Sequence, residues 1–190
     1  MRVLIVDNYD SFTYNLAHYI EQFASETVIN RNDSINLDEI NLFDKIIFSP
    51  GPGLPKDSPI MFSIIDNYKT IKPILGVCLG HQAIAEYFGA ELINMPEVHH
   101  GREMKTIITT DDYIYKGIRK NFKSGRYHSW TVNKGNFPID LEITAIDNNG
   151  DIMSLRHKEF DIRGVQYHPE SIMTEFGKEI IKNWVLSGKR

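Results

Sequence analysis

Cysteine is nearly absent from this sequence: Cys78 is the one thiol among 190 residues. A single thiol cannot close an internal disulfide or build a thiolate metal cage, and this usage fits a reducing compartment. No apolar run approaches the ~18 residues that a membrane-spanning helix needs, and the run at residues 3–6 is too short for the core of a signal peptide. We therefore expect a cytoplasmic protein without a membrane segment.

An excess of positive charge is also lacking. The chain has 21 Lys and Arg against 25 Asp and Glu, a net charge of -4, and its basic residues are scattered. Nucleic-acid binding usually leaves a basic patch, so no DNA or RNA partner is expected. Repeats and low-complexity linkers are absent too, and 42% hydrophobic residues suffice for one core. We predict one domain over residues 1–190.

Hydrophobic periodicity divides the chain into two halves of different character. In the first half, strands are predicted at 3–6, 27–29, 45–49 and 73–77, and helices at 12–23, 60–68 and 81–88. Asp10 or Ser11 is the predicted N-cap of the first helix. In the second half, short β-branched runs between turn residues predict antiparallel ribbons or sheet extensions, followed by a helix at 175–186. The pattern indicates an open, mostly parallel α/β sheet with helices on both faces.

Cys78 lies between a predicted strand and a predicted helix, in Gly76-Val77-Cys78-Leu79-Gly80. Small residues flank it as they flank the serine of a G-x-S-x-G elbow, where a sharp, strained turn exposes the nucleophile. The start of a helix also favours the thiolate. A lone cysteine is more often a small buried hydrophobe, but the two glycines and a downstream histidine favour a nucleophile here.

That histidine is His168, one of seven in the chain. It lies two residues before Glu170, at the end of a predicted strand, and an extended backbone through Pro169 would put both side chains on one side. Glu170 could then orient the imidazole as the acid of a triad does. The alternative is an ordinary surface His and Glu at a strand end. His18 falls inside a predicted amphipathic helix, and His81 lies in the first turn of the helix after Cys78. The remaining four histidines have no carboxylate at a telling spacing, except that His157 precedes Lys158-Glu159.

The strand at 45–49 runs into Pro50-Gly51-Pro52-Gly53, residues that we call the proline-glycine loop. Prolines and glycines in this pattern predict a stiff, sharply turned backbone, with the N–H groups of Gly51 and Gly53 free to point outward. Open α/β sheets bind ligands at this end of their strands. An ordinary connecting loop is the alternative, and composition alone favours neither.

Three motifs together resemble the class I (triad) glutamine amidotransferases: the proline-glycine loop, residues 76–82 and residues 165–171. Residues 7–15, 100–102 and 126–130 extend the match to essentially the whole chain. The resemblance implies the flavodoxin-like sheet of that family. More narrowly, the chain is similar to the small subunits of anthranilate synthase and of aminodeoxychorismate synthase.

The resemblance also implies a catalytic scheme. In it, Cys78, His168 and Glu170 form a triad that hydrolyses L-glutamine, and backbone N–H groups of Gly53 and Leu79 form an oxyanion hole. The implied glutamine-binding residues are Gly51, Pro52, Gly53, Gln82, Ser129 and Trp130. Of these, Trp130 stands where leucine is usual in the family. No metal or cofactor is implied for this chain.

A partner is implied as well, a large chorismate-binding synthase subunit that receives the ammonia in a heterodimer or heterotetramer. Anthranilate synthase, in tryptophan biosynthesis, is the first expectation. Aminodeoxychorismate synthase, in folate biosynthesis, is the alternative, because both use the same ammonia donor and the large subunit chooses the ring position.

Three other interpretations of the sequence remain open to test. A cysteine hydrolase or a redox-sensing protein on the same fold would use Cys78 without glutamine, but it would leave the proline-glycine loop and Gln82 unexplained. A nucleotide-binding module is disfavoured because no G-x-G-x-x-G or P-loop pattern follows a strand. A regulatory subunit with a dead site is disfavoured because Cys78, His168 and Glu170 are all present.

Overall fold

Strands and helices alternate through the first half of the chain, and strands predominate in the second. The computed structural model describes residues 1–96 and 98–187, so the last three positions of the predicted domain lie outside the described residues. The helices are α1 (Thr13–Glu21), α2 (Ile60–Tyr68), α3 (Leu79–Tyr87) and α4 (Gly177–Leu186). The strands are β1 (Arg2–Asp7), β2 (Glu26–Arg31), β3 (Lys45–Phe48), β4 (Ile74–Val77), β5 (Leu92–Asn94), β6 (Arg102–Ile108), β7 (Asn121–Arg126), β8 (Trp130–Val132), β9 (Leu141–Asp147), β10 (Ile152–His157) and β11 (Ile162–Val165).

The main sheet has nine strands in the order β2-β1-β3-β4-β11-β10-β9-β6-β7. The five strands from β2 to β11 are parallel, and the four that follow are antiparallel. A separate antiparallel pair joins β5 to β8. The predicted α/β architecture, a mostly parallel sheet with antiparallel extensions, is therefore confirmed.

Helices cover both faces of the parallel strands. In β1, Val3 and Ile5 pack into the cluster that contains α1 and α4, whereas Leu4 and Val6 pack into the cluster that contains α2 and α3. Successive side chains of a strand point to opposite faces, and all four are at most 1% exposed. A strand buried on both faces reads as a continuous apolar run, which is why the sequence predicts it well.

The start of α1 differs from the prediction. The N-cap residue is Phe12, which makes no side-chain capping bond, so Asp10 and Ser11 are both wrong as N-caps. Asp10 Oδ1 accepts a hydrogen bond from the Phe12 N–H at 2.8 Å, and Asp7 Oδ1 accepts one from Thr13 Oγ1 at 2.8 Å. The carboxylates thus organise the loop before the helix instead of capping its first turn.

The second half departs further from the sequence pattern. The apolar and β-branched runs of the second half lie at 92–93, 104–109, 141–146, 152–155 and 162–165, so neither β7 nor β8 is predicted. β7 has one large apolar residue, Phe122, and is held by its pairing with β6. β11 joins the two parts of the sheet, parallel to β4 and antiparallel to β10. This strand ends at Val165, so the prediction that it runs to His168 is wrong. None of the described helices is both long and apolar enough to cross a bilayer.

Candidate active site

Cys78 lies at the tip of a sharp turn between β4 and α3. Its backbone has φ 52° and ψ -100°, a strained conformation for a residue other than glycine. The turn brings the backbone so close to its neighbours that only glycine fits at positions 76 and 80. A Cβ on Gly76 would lie 2.3 Å from the Gly80 carbonyl oxygen, and one on Gly80 would lie 2.5 Å from Phe48 Cβ. The turn places the thiol at the start of α3, where the helix dipole favours an anion.

His168 lies three residues beyond the end of β11, with 2% of its surface exposed. Its Nδ1 is 2.7 Å from Glu170 Oε1. The two side chains meet through a turn, in which the Ser171 N–H donates to the His168 carbonyl oxygen at 3.2 Å. The backbone through Pro169 is therefore not extended, because the chain reverses there, and His168 and Glu170 come together through this turn instead.

The surroundings of His168 favour its charged form. Burial by itself lowers the pKa of His168, but the Glu170 carboxylate and the Cys78 sulfur outweigh it, so the pKa is raised well above its usual value. The ring nitrogen away from Glu170, Nε2, is buried and has no hydrogen-bond partner among the described residues, and Cys78 contributes to the raised pKa of the ring. A carboxylate, an imidazolium and a sulfur in this order are suited to nucleophilic catalysis by a thiolate.

A small polar cavity opens at the Cys78 sulfur. Its volume is about 160 Å³, and its lining contains all the residues that the sequence suggests for the oxyanion hole and for glutamine, together with Tyr127 and His128. Gly53 has φ +78°, and the Leu54 N–H that follows it donates to Asp57 Oδ2 at 2.9 Å. The proline-glycine loop is therefore one wall of the cavity next to the candidate nucleophile.

On the wall of the cavity opposite the proline-glycine loop, two side chains contact the carbonyl oxygen of Trp130. Gln82 Nε2 donates to it at 2.9 Å, and His128 Nδ1 lies 2.9 Å from it. Burial lowers the pKa of His128 to about 4, so the ring is neutral and its Nδ1 carries the proton. These bonds fix the backbone of Ser129 and Trp130 independently of the tryptophan ring.

Sequence reasoning missed two residues of this site, Gln166 and His128. Gln166 is fully buried; its Nε2 donates to Cys78 Sγ at 3.6 Å, and its Oε1 accepts from Gln82 Nε2 at 3.1 Å. Its position two residues before His168 is the feature of the sequence from which its place in the site could have been predicted. The signal for His128 was weaker, because its partner is a backbone carbonyl rather than a carboxylate.

Comparison with known proteins gives a consistent result over nearly the whole chain. The family model of the class I glutamine amidotransferases matches residues 4–187. Anthranilate synthase component 2 of Cyanophora paradoxa is 46% identical over 96% of this chain and 97% of its own length. Aminodeoxychorismate/anthranilate synthase component 2 of Bacillus subtilis is 42% identical over 96% of this chain and 95% of its own length.

A solved structure has the same fold. A protein from Thermoplasma acidophilum, described as a putative GMP synthase subunit, superimposes with a TM-score of 0.88 at 25% sequence identity, covering 97% of this chain and 92% of its own. The fold is thus shared with that protein, and in this chain the elbow, the buried histidine and the proline-glycine loop lie at one end of the sheet. This chain belongs to the class I glutamine amidotransferases.

Proposed function

We propose that Cys78, His168 and Glu170 are the triad with which this chain hydrolyses L-glutamine, and that the ammonia passes to a chorismate-using synthase subunit. The observation that carries the proposal is the buried His168–Glu170 pair, with Nδ1 2.7 Å from Oε1, together with the polar cavity that Cys78 lines; Glu170 and Cys78 both raise the pKa of His168. Membership of the family supports the reaction, and the geometry supports the roles of the residues.

The first half of the reaction forms a thioester. The Cys78 thiolate attacks the side-chain amide carbon of glutamine, so that an S–C bond forms and the carbonyl π electrons move to the oxygen. His168, as the imidazolium, donates its Nε2 proton to the amide nitrogen, the C–N bond breaks, and ammonia leaves. Burial of His168 at 2% exposure keeps bulk water from competing for that proton.

The second half regenerates the thiolate. Neutral His168 takes a proton from water as the water attacks the thioester, and the tetrahedral intermediate collapses to glutamate and the Cys78 thiolate. In both halves, backbone N–H groups of Gly53 and Leu79 stabilise the oxyanion, and one such donor is typically worth about 10²- to 10³-fold in rate. Both residues line the cavity at the sulfur.

The same cavity suits the rest of the substrate. Gln82 and the backbone at Ser129 and Trp130 hold the α-amino and α-carboxylate groups, while Gly51 and Pro52 shape the opposite wall. Support for these roles is the bond from Gln82 Nε2 to the Trp130 carbonyl at 2.9 Å, because it fixes donors and acceptors before glutamine arrives. Preorganisation of this kind lowers the cost of binding.

A synthase partner explains the use of ammonia. Free ammonia is protonated in neutral water and is then no nucleophile, so it has to reach the next reaction through an enclosed path. Relatives named as component 2 of anthranilate synthase and of aminodeoxychorismate synthase support a heteromer with such a subunit. We take anthranilate as the first assignment of the product, with the aminodeoxychorismate route as the alternative.

Reconstitution tests this function. The chain, alone and with the chorismate-binding subunit of its own organism, is given glutamine and chorismate, and both glutamate and the aromatic product are quantified. We expect glutamate release that rises in the complex, with an ortho-amino product for anthranilate synthase or a para-amino product for the alternative. No glutamate under any condition, with Cys78 still reactive to alkylation, would support the hydrolase or redox hypothesis instead.

The role of Glu170 gives a prediction of its own. Glu170→Gln keeps the shape of the side chain but removes its negative charge. In the wild type, that charge raises the pKa of His168. The pKa of His168 therefore falls, and the imidazolium is lost at a lower pH than in the wild type. We expect kcat to fall about 10- to 100-fold, because the ring loses its charged orienting partner. NMR titration of the His168 ring, identified with a His168→Asn reference, measures the shift; an unchanged pKa would contradict the role of Glu170.

A further inference from the structure

Asn8 is a buried polar residue that the proposed chemistry does not use. It follows β1, next to the carboxyl end of β3, and 3% of its surface is exposed. Its Nδ2 donates to the Ser49 carbonyl oxygen at 3.0 Å, and its backbone N–H donates to Ser49 Oγ at 2.9 Å. A buried amide with these partners fixes the chain at Ser49, the residue just before the proline-glycine loop.

The other end of the same amide fixes the chain beyond the loop. Ser58 Oγ donates to Asn8 Oδ1 at 2.9 Å, and Asn32 Nδ2 donates to Asn8 Oδ1 at 3.1 Å and lies 2.9 Å from Ser58 Oγ. Asn8 thus joins the segment that enters the proline-glycine loop to the segment that follows it. We call Asn8, Asn32, Ser49 and Ser58 the loop clamp.

The loop itself rests on the clamp. A Cβ placed on Gly51 would lie 2.6 Å from Asn8 Cβ and 2.7 Å from the Asn8 carbonyl oxygen, so the backbone of Gly51 is packed directly on Asn8. Gly51 is two residues from Gly53, and both line the cavity at Cys78. If Asn8 moved, the proline-glycine loop packed on it would therefore move as well, and with it the N–H group of Gly53.

We propose that Asn8 is a positioning residue for the oxyanion hole, acting through the loop clamp on the N–H group of Gly53. The inference rests on the proposed function, because it needs an oxyanion to be stabilised there. An oxyanion exists in the transition state and not in the bound amide, so loss of the clamp lowers kcat and leaves KM almost unchanged. A residue that only supported the fold would not separate the two constants in this way.

The test compares Asn8→Ala with the wild type in the complex with the synthase subunit. We expect kcat for glutamate release to fall about 10- to 100-fold, less than the full loss of one oxyanion donor, with KM changed less than about threefold. The second readout is the rate of Cys78 alkylation by iodoacetamide. That reaction displaces iodide from a methylene carbon and forms no oxyanion, so its rate is expected to stay at the wild-type value.

A matched control is Asn183→Ala. Asn183 Nδ2 also donates to two backbone carbonyls, of Ile114 at 3.0 Å and of Lys116 at 2.9 Å, but far along the chain from the loop. This variant should keep the wild-type kcat. If Asn8→Ala does not fold, Ser58→Ala removes one arm of the clamp, and the same separation of kcat from KM is expected of it.

The outcomes separate the inference from the function on which it rests. A folded Asn8→Ala with kcat within twofold of the wild type, or with alkylation slowed as much as kcat, would overturn the role of Asn8 while glutamine hydrolysis by the wild type stands. Absence of glutamate release by the wild-type complex would overturn the proposed function, and the role of Asn8 with it.

Discussion

Cys78→Ala abolishes glutamine-dependent synthesis in the reconstituted complex, with kcat for glutamate release lowered by at least about 10⁴-fold. The methyl group of alanine cannot form the thioester, and the remaining groups around the cavity have no nucleophile to assist. The side chain that is lost is small and 6% exposed, so we expect the fold to be retained. Synthesis from added ammonia therefore continues at the rate of the wild-type complex.

Two assays on the same preparation check this result: glutamate release from glutamine, and aromatic product formed with ammonium salt in place of glutamine. Cys78→Ser is the matched variant, because its hydroxyl has the right shape but is not ionised as a thiol is; we expect it to be nearly as inactive as alanine. Glutamate release by Cys78→Ala at a wild-type rate would contradict the triad.

The sequence predicts the strands that are buried on both faces, because burial on both faces requires apolar residues throughout the strand. β1, β3 and β4 are buried on both faces and read as continuous apolar runs, and α2 has the predicted bounds, Ile60–Tyr68. β7 has no such mark, because its position depends on pairing with β6 rather than on its own residues. A strand whose position depends on pairing with its neighbour cannot be predicted from hydrophobic periodicity.

The same distinction applies to the candidate site. The elbow around Cys78 and the His168–Glu170 pair are local features, each within a few residues, and local spacing is what a sequence displays. The bond from Gln166 to Cys78 spans 88 positions, and Asn8 contacts Ser58 across 50 positions. Contacts of this kind arise because parallel strands end at one edge of the sheet, and the order of the strands cannot be read from one sequence.

Gly80 shows how strongly the elbow depends on backbone packing. In the first turn of a helix, alanine is ordinarily favoured over glycine by up to about 1 kcal/mol. A Cβ at Gly80, however, would lie 2.5 Å from Phe48 Cβ and 2.7 Å from the Phe48 carbonyl oxygen. Phe48 is fully buried in the middle of the sheet, so neither it nor the helix can move away without opening the core.

Gly80→Ala therefore lowers the free energy of unfolding by about 1–3 kcal/mol, since overpacking against a fixed strand outweighs helix propensity. Urea unfolding followed by circular dichroism measures this loss. Gly135→Ala is the control: Gly135 is exposed, and its Cβ would meet only the Asn133 side chain, at 3.3 Å, so we expect a change within about 0.5 kcal/mol. If Gly80→Ala were as stable as the wild type or more so, helix propensity would have prevailed, and close approach of α3 to β3 would not be what holds Cys78 in its strained turn.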